Sequence, residues 1–293
     1  MKSINIINKN KKIFKSEVKV MKRKFLIGLI SAVLTLGLLL SVTACGGRGS
    51  GAIVVGSTSV LPYMEVLAEK YEELYPGTVI DVQGGGSSAG ITAVNSGAAD
   101  IGMSSRMLKE GEDNPYKLIA KDGLAIIVHP DNPVDDLTVE EIRSIYTQEI
   151  NNWKDVGGND AKINVVTREE GSGTRDAFEE LVMGDDKIAA NSNTQSNNGA
   201  IKQNVAGDVN AIGYISLGAV TDEIRKIKID SVEASPANVL NKTYGLFRPF
   251  LFVMSNEGEL SPEAQQFVDF VLSEEGQRIL VADGLISELE GIN

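Results

Sequence analysis

From residue 52 onward the chain alternates between two hydrophobic periods, short β-branched runs and stretches with apolar positions three or four residues apart. The first run predicts a strand over Ile53 to Val55. "LPYMEVLAEKYEELYPG" then predicts a helix with Tyr63, Val66, Leu67, Tyr71 and Leu74 on its buried face, ended by Pro76 and Gly77. "TVIDVQGGGSSAGI" reads as strand, glycine loop and helix start, "AADIGMSS" as a strand with a polar end, and "DGLAIIVHP" as a longer buried strand.

A second group follows the turn-rich "PDNPVDD". "LTVEEIRSIYTQEI" reads as a helix opened by a Thr138–Glu141 capping box. "KINVVTREEGSGTRDAFEELVM" is strand, polar loop and helix; "NNGAIKQNVAGDVNAIGYISLG" is helix then strand; "IRKIKIDSV" is one more strand. After the apolar segment "TYGLFRPFLFVMS", Ser261 and Pro262 start the closing helices. The alternation predicts an α/β sheet covered by helices on both faces, with ligands at the carboxyl ends of its strands. Two extended segments crossing between lobes would make a hinge with a cleft. That places one discontinuous lobe at 52–126 plus 247–293 and a second at 127–246.

The first 45 residues differ in kind. They carry nine Lys or Arg against one acid, and the basic Lys22, Arg23 and Lys24 precede an apolar run from Phe25 to Leu40. This is the grammar of a secretory signal over 21–44, since the run is short for a membrane span and is followed at once by Cys45-Gly-Gly. "SVTACGG" resembles a bacterial lipobox, which implies a lipid on Cys45 and a tether over 45–51. Met21 opens that signal better than Met1, so 1–20 reads as a mis-called extension.

Charge and composition remove several function classes. After Cys45 there remain 19 basic and 39 acidic residues, a formal charge of about −20, which suits neither nucleic acid nor an anionic membrane surface. A small anion is still an admissible ligand, because a desolvated pocket of N–H and O–H donors acts locally while net charge is screened over about 8–10 Å. One cysteine excludes disulfides and cysteine-rich zinc sites, and the single His129 sits at a strand end before a proline, a poor place for a catalytic base.

Four loops after expected strands combine glycine or small residues with hydroxyls: "GSTSV" (56–60), "QGGGSSAG" (83–90), "GMSSR" (102–106) and "REEGSGTR" (168–175). Bare glycine N–H groups, helix-start donors and Ser or Thr hydroxyls form a cage suited to an oxyanion. Arg168 ends its strand, where its fork can grip two oxygens, with Glu170 as the expected holder. Arg175 falls in a first helical turn and is expected at the surface or paired with Glu179. No loop carries a P-loop lysine or a G-x-S-x-G elbow, and the acids form no pair that would support a glycosidase.

"GSTSVLPYMEVLAEKY", "QGGGSSAGI", "ADIGMSSR", "REEGSGTRDAF" and "AIGYISLG" together resemble the phosphate-binding proteins of phosphate ABC transporters, in the same order and over most of residues 52 to 284. The resemblance implies a two-lobed α/β fold of the periplasmic-binding-protein type (type II), closing on dehydrated phosphate. It assigns Thr58 and Ser59 to the first phosphate loop, Ser87 to the second, and Arg168, Ser172, Gly173 and Thr174 to the loop from the other lobe. Ser105, followed by Arg106, stands where better-studied members carry an aspartate that accepts the proton of phosphate. A serine can also accept a hydrogen bond, but it repels sulfate less than a carboxylate does, and Arg106, expected beside Ser105 at the ligand, favours a more charged anion. The implied protein is a lipid-anchored receptor, monomeric, without cofactor or catalysis, that delivers inorganic phosphate to permease subunits. A receptor for sulfate or molybdate, a sensor or adhesin, and a phosphatase are the alternatives.

Overall fold

A computed structural model describes residues 51–287 together with 289, 291 and 292. The expected extension, signal segment and Cys45 lie outside the described residues. So does the expected tether except Gly51, which already belongs to the first strand.

Strands β1 (Gly51–Gly56), β2 (Val79–Gly84), β3 (Ile101–Ser104) and β4 (Tyr116–Val128) enclose helices α1 (Leu61–Leu74) and α2 (Ser87–Asn95). The short β5 (Asp136–Leu137) precedes α3 (Val139–Thr147), and β6 (Asn164–Arg168) precedes α4 (Gly173–Phe178), which runs on through a π turn to Met183. Next come β7 (Asn193–Gln195), α5 (Asn198–Ala206), β8 (Ala211–Ser216), β9 (Arg225–Lys226), β10 (Lys228–Ile229) and α6 (Pro236–Leu240). The chain closes with β11 (Phe247–Val253), α7 (Pro262–Leu272) and α8 (Glu274–Ala282).

The main sheet has the order β2-β1-β3-β11-β4-β8-β6-β7, with β9 added beside β4. The outer pairs, β2-β1-β3 on one side and β8-β6-β7 on the other, are parallel, whereas β11 runs antiparallel to both β3 and β4, and β4 runs antiparallel to β8 and β9. The thirteen-residue β4 is shared: Tyr116 to Gly123 pair with β11 and Leu124 to Val128 with β8. The core divides at the same place. Of the two large apolar clusters, one joins β1, β3, α1, α7 and α8 to Ile119, Ala120, Phe250 and Phe252, and the other joins β6, β8, α3 and α5 to Leu124 through Val128; a small third joins Ile91 and Val94 of α2 to Leu251 and Val253 of β11. Two packed interiors therefore share one backbone crossing, made of β4 and β11.

Local chemistry explains most elements. Thr138 and Glu141 form the expected reciprocal capping box, and Ser261 Oγ accepts from Ala264 N at the start of α7. The face of α1 is rotated from expectation. Tyr63, Met64, Leu67, Ala68 and Tyr71 are buried, while Val66 and Leu74 are 45% and 44% exposed. Met64 and Ala68 lie four residues apart and complete the stripe that meets the sheet. "IRKIKIDSV" makes two two-residue strands, β9 beside β4 and β10 beside β5, in place of the one expected.

Candidate functional site

All four glycine and hydroxyl loops leave the carboxyl ends of parallel strands, β1, β2, β3 and β6, and they meet. The first three sit on the first core. Gly56 O accepts from both Gly85 N and Gly86 N at 2.9 Å, which ties the first loop to the second. Gly86 has φ 92°, a conformation that favours glycine and lets the backbone turn into α2. Ser57 Oγ donates to Ser105 Oγ at 2.9 Å, Ser105 N donates to Ser87 Oγ at 3.1 Å, and the Ser87 and Ser105 hydroxyls lie 3.5 Å apart.

The fourth loop reaches over from the second core. Ser88 N donates to Gly171 O at 3.2 Å, and Ser59 Oγ lies 2.9 Å from Thr174 Oγ1. A Cβ on Gly173 would come within 2.2 Å of Ser87 Oγ and 2.7 Å of Ser105 Oγ, so the absence of a side chain there is what allows the approach. Ser172 is the N-cap of α4, its Oγ accepting from Arg175 N. Ser59, Ser87, Ser105, Ser172 and Thr174 are all buried.

Arg168, 1% exposed, is the hub. Tyr214 fixes the strand end before it: its hydroxyl accepts from Arg168 N at 3.2 Å and lies 2.8 Å from Thr167 Oγ1. Its ring stacks on Phe178 at 4.1 Å, and burial pushes its pKa up to about 12. The guanidinium donates through Nη2 to Thr58 Oγ1 at 3.0 Å and makes longer contacts through Nη1 to Thr174 Oγ1 and Asn198 Oδ1.

Its carboxylate partner corrects the sequence reading. Glu169, not Glu170, holds the fork, taking Nε and Nη2 at 2.9 Å each. Glu169 immediately follows the strand end and folds back beside the guanidinium. Arg175 matches expectation, pairing with Glu179 at 2.8 Å.

Arg106 is the second correction. Its guanidinium turns to carboxylates: 2.6 and 2.9 Å to Glu112, and 2.7 Å from Nε to Asp176 Oδ2, a contact off the N–H line. Lys109 reaches the other Asp176 oxygen at 2.9 Å. Burial opposes the charge on Arg106, but hydrogen bonds and charge from Glu112 and Asp176 outweigh it and raise its pKa. Because Arg106 follows β3 and Asp176 lies on α4, this cluster bridges the two cores.

Three further residues at the hydroxyl cluster escaped the sequence reading. Ser57 orders the first loop; Asn198, opening α5, donates from Nδ2 to Ser59 Oγ at 3.1 Å; Arg248 of β11 donates to the same oxygen at 3.2 Å. Arg248 is directly opposite Asp122 of β4 in the crossing and pairs with it at 3.0 and 3.1 Å. The single acid of β4 and the single base of β11 were the available signal, legible only once their register is known.

Two cores joined by a two-strand crossing, with donor-rich loops from both meeting over it, define the class of solute-binding proteins built to enclose a small ligand. Residues 44–275 match the PBP superfamily domain. The chain belongs to that superfamily, and within it to the family of PstS-type phosphate-binding proteins. It is 33% identical over 244 residues to the phosphate-binding protein PstS of Bacillus subtilis, covering 80% of each chain. It is also 33% identical over 263 residues to that of Pseudomonas aeruginosa, covering 79% of this chain and 81% of the other. Among solved structures, a phosphate ABC transporter substrate-binding protein from Clostridium perfringens with bound phosphate shares 47% identity. Its TM-score is 0.79, over 82% of this chain and all of that one. An ABC-type phosphate transport receptor from Vibrio cholerae shares 40% identity with a TM-score of 0.69, over 80% of this chain and 99% of that one.

Proposed function

We propose that the protein is the extracytoplasmic receptor of an ABC importer and encloses inorganic phosphate among the four loops. The observation that carries this reading is the convergence on one cluster of Arg168 and the hydroxyls of Thr58, Ser87, Ser105 and Thr174, with Ser59 Oγ seated behind Thr174. Such groups replace the hydration of a tetrahedral anion with charge-assisted and neutral hydrogen bonds. Gly173 contributes bare backbone and Ser172 a buried hydroxyl beside it. The lobes, expected as 52–126 with 247–293 against 127–246, divide nearer Gly123 and Leu124, where β4 passes from one large apolar cluster to the other, and the ligand is bound and released without covalent change. Among the described residues no helix is long and apolar enough to cross a membrane. Cys45 carries the lipid that holds a monomeric body near the permease, following a signal over 21–44.

Ser105 bears on ligand choice. Because Ser57 donates to it, its own hydrogen is free to serve an anion oxygen. Titration calorimetry of the mature protein with phosphate, sulfate and molybdate is expected to show tight phosphate binding. Tight sulfate or molybdate binding with none for phosphate would replace the ligand assignment.

A further inference from the structure

Ser59 connects the hydroxyl cluster to the crossing strands, and its hydrogen bonds have a direction. Arg248 Nη2 can only donate, and it lies 3.2 Å from Ser59 Oγ. Asn198 Nδ2 donates to the same oxygen, and the amide is oriented by Arg168, whose Nη1 takes Asn198 Oδ1. With both lone pairs of Ser59 Oγ occupied, its single hydrogen goes to Thr174 Oγ1, 2.9 Å away. Thr174 Oγ1 then receives from Ser59 and, at 3.5 Å, from Arg168, so its own hydrogen points elsewhere.

Arg248 is not an ordinary buried ion pair that merely ties two strands. Asp122 is fully buried and Arg248 is 2% exposed; replacing such a pair by apolar groups is often neutral for stability, so stability alone does not explain it. Its Nη1 is buried and has no hydrogen-bond partner among the described residues. The charged and titratable groups facing it are Asp122 from β4, Arg168 from the end of β6 and Tyr63 from α1. Two guanidinium groups therefore meet one hydroxyl chain, Arg248 at Ser59 and Arg168 at Thr174.

We propose that Arg248, held by Asp122, is a positioning residue that fixes the direction of the Ser59–Thr174 hydroxyl chain and so obliges Thr174 to donate to the bound anion. This rests on the phosphate reading of the site. Monobasic phosphate brings two O–H groups that need acceptors and the dibasic form brings one, so fixing Thr174 as a donor removes an acceptor and tilts the site toward the dibasic form. Without the donor from Arg248 the chain can reverse, Thr174 donating to Ser59 and accepting from a protonated ligand oxygen.

Inorganic phosphate loses its second proton near neutral pH, so calorimetry at about pH 6 and about pH 8 reads the preference. The wild type is expected to bind more tightly at the higher pH. Arg248→Met combined with Asp122→Asn should weaken binding about tenfold at the higher pH and clearly less at the lower, flattening the profile. Ser59→Ala leaves Asp122, Arg248, Arg168 and Tyr63 in place and should flatten it in the same way, which serves if the double variant does not fold. Arg248→Lys, still a donor, should keep the wild-type slope. Affinity unchanged in both variants, or reduced by the same factor at both pH values, overturns the proposal. A wild type that binds no phosphate at either pH defeats the phosphate reading instead.

Discussion

Arg168 and Arg106 are both buried, one ending and the other just following a strand of the main sheet, and both reach from one core to the other. Their surroundings are opposite in kind. Arg168 has one carboxylate, Glu169, and spends its remaining donors on Thr58, Thr174, Asn198 and Ser196 O. Arg106 is met by Glu112 and Asp176, the latter shared with Lys109, and among the described residues donates besides only to Met107 O and Ser88 Oγ. Around the first, neutral oxygens can be exchanged for those of an anion; around the second, carboxylates already supply the negative charge. The same residue type thus makes a hub of neutral hydrogen bonds in one place and a charged bridge between cores in the other.

The largest expected effect follows at the hub. Arg168→Ala should weaken phosphate binding by about ten- to a hundredfold in calorimetry, since a buried charge-assisted hydrogen bond contributes roughly 1.5–3 kcal/mol. Arg106→Ala should cost less affinity, and equal losses in the two variants would erase the distinction.

The carboxylates sharpen it next. Glu169→Gln removes the fork's holder and should weaken binding about three- to tenfold, the pair being partly exposed and therefore screened. Glu170→Gln should leave the affinity within about twofold. A larger loss from Glu170→Gln than from Glu169→Gln would mean that the bound form uses the other acid.

This substitution of neighbours shows how far the sequence could be read. "GSGT" after an apolar strand marked the strand-to-helix loop because glycine, hydroxyls and a helix start each have a local cause. Adjacent acids are indistinguishable by composition, and which one folds back depends on the backbone after Arg168. Arg106 misled for a related reason. Its loop position matched the others, but Asp176 comes from α4, seventy residues on, and no local pattern links them. Asp122 and Arg248 are separated further still, and only the antiparallel register of β4 and β11 makes them partners. Local chemistry was legible; contacts across the crossing were not.

The charged bridge carries a smaller, kinetic prediction. Asp176→Asn removes a bridge between cores without touching the hydroxyl cluster, so phosphate release measured by stopped flow should be about three- to tenfold faster. Added salt should speed release from the wild type more than from the variant, because Lys109 and Asp176 are partly open to solvent. An unchanged release rate would mean that the cluster does not oppose opening.

Glu112 should have the smallest effect, and only on stability. It lies with Arg106 on the first core, so their pair does not cross between cores. Its hydrogen bond from Arg106, the largest cause, holds its pKa below the ordinary 4.5 despite partial burial. A carboxylate with a depressed folded-state pKa adds stability that is present above its unfolded pKa and lost as pH falls through the folded one. Glu112→Gln should therefore lower Tm by about 2–4 °C near neutral pH, for a loss of about 1 kcal/mol in a chain of this size. The gap should close as the solution is acidified below pH 4.5, while phosphate release at neutral pH stays at the wild-type rate. If Glu112→Gln instead accelerates release as much as Asp176→Asn does, Arg106 needs both acids to hold its reach across to α4, and bridge and local pair are one unit.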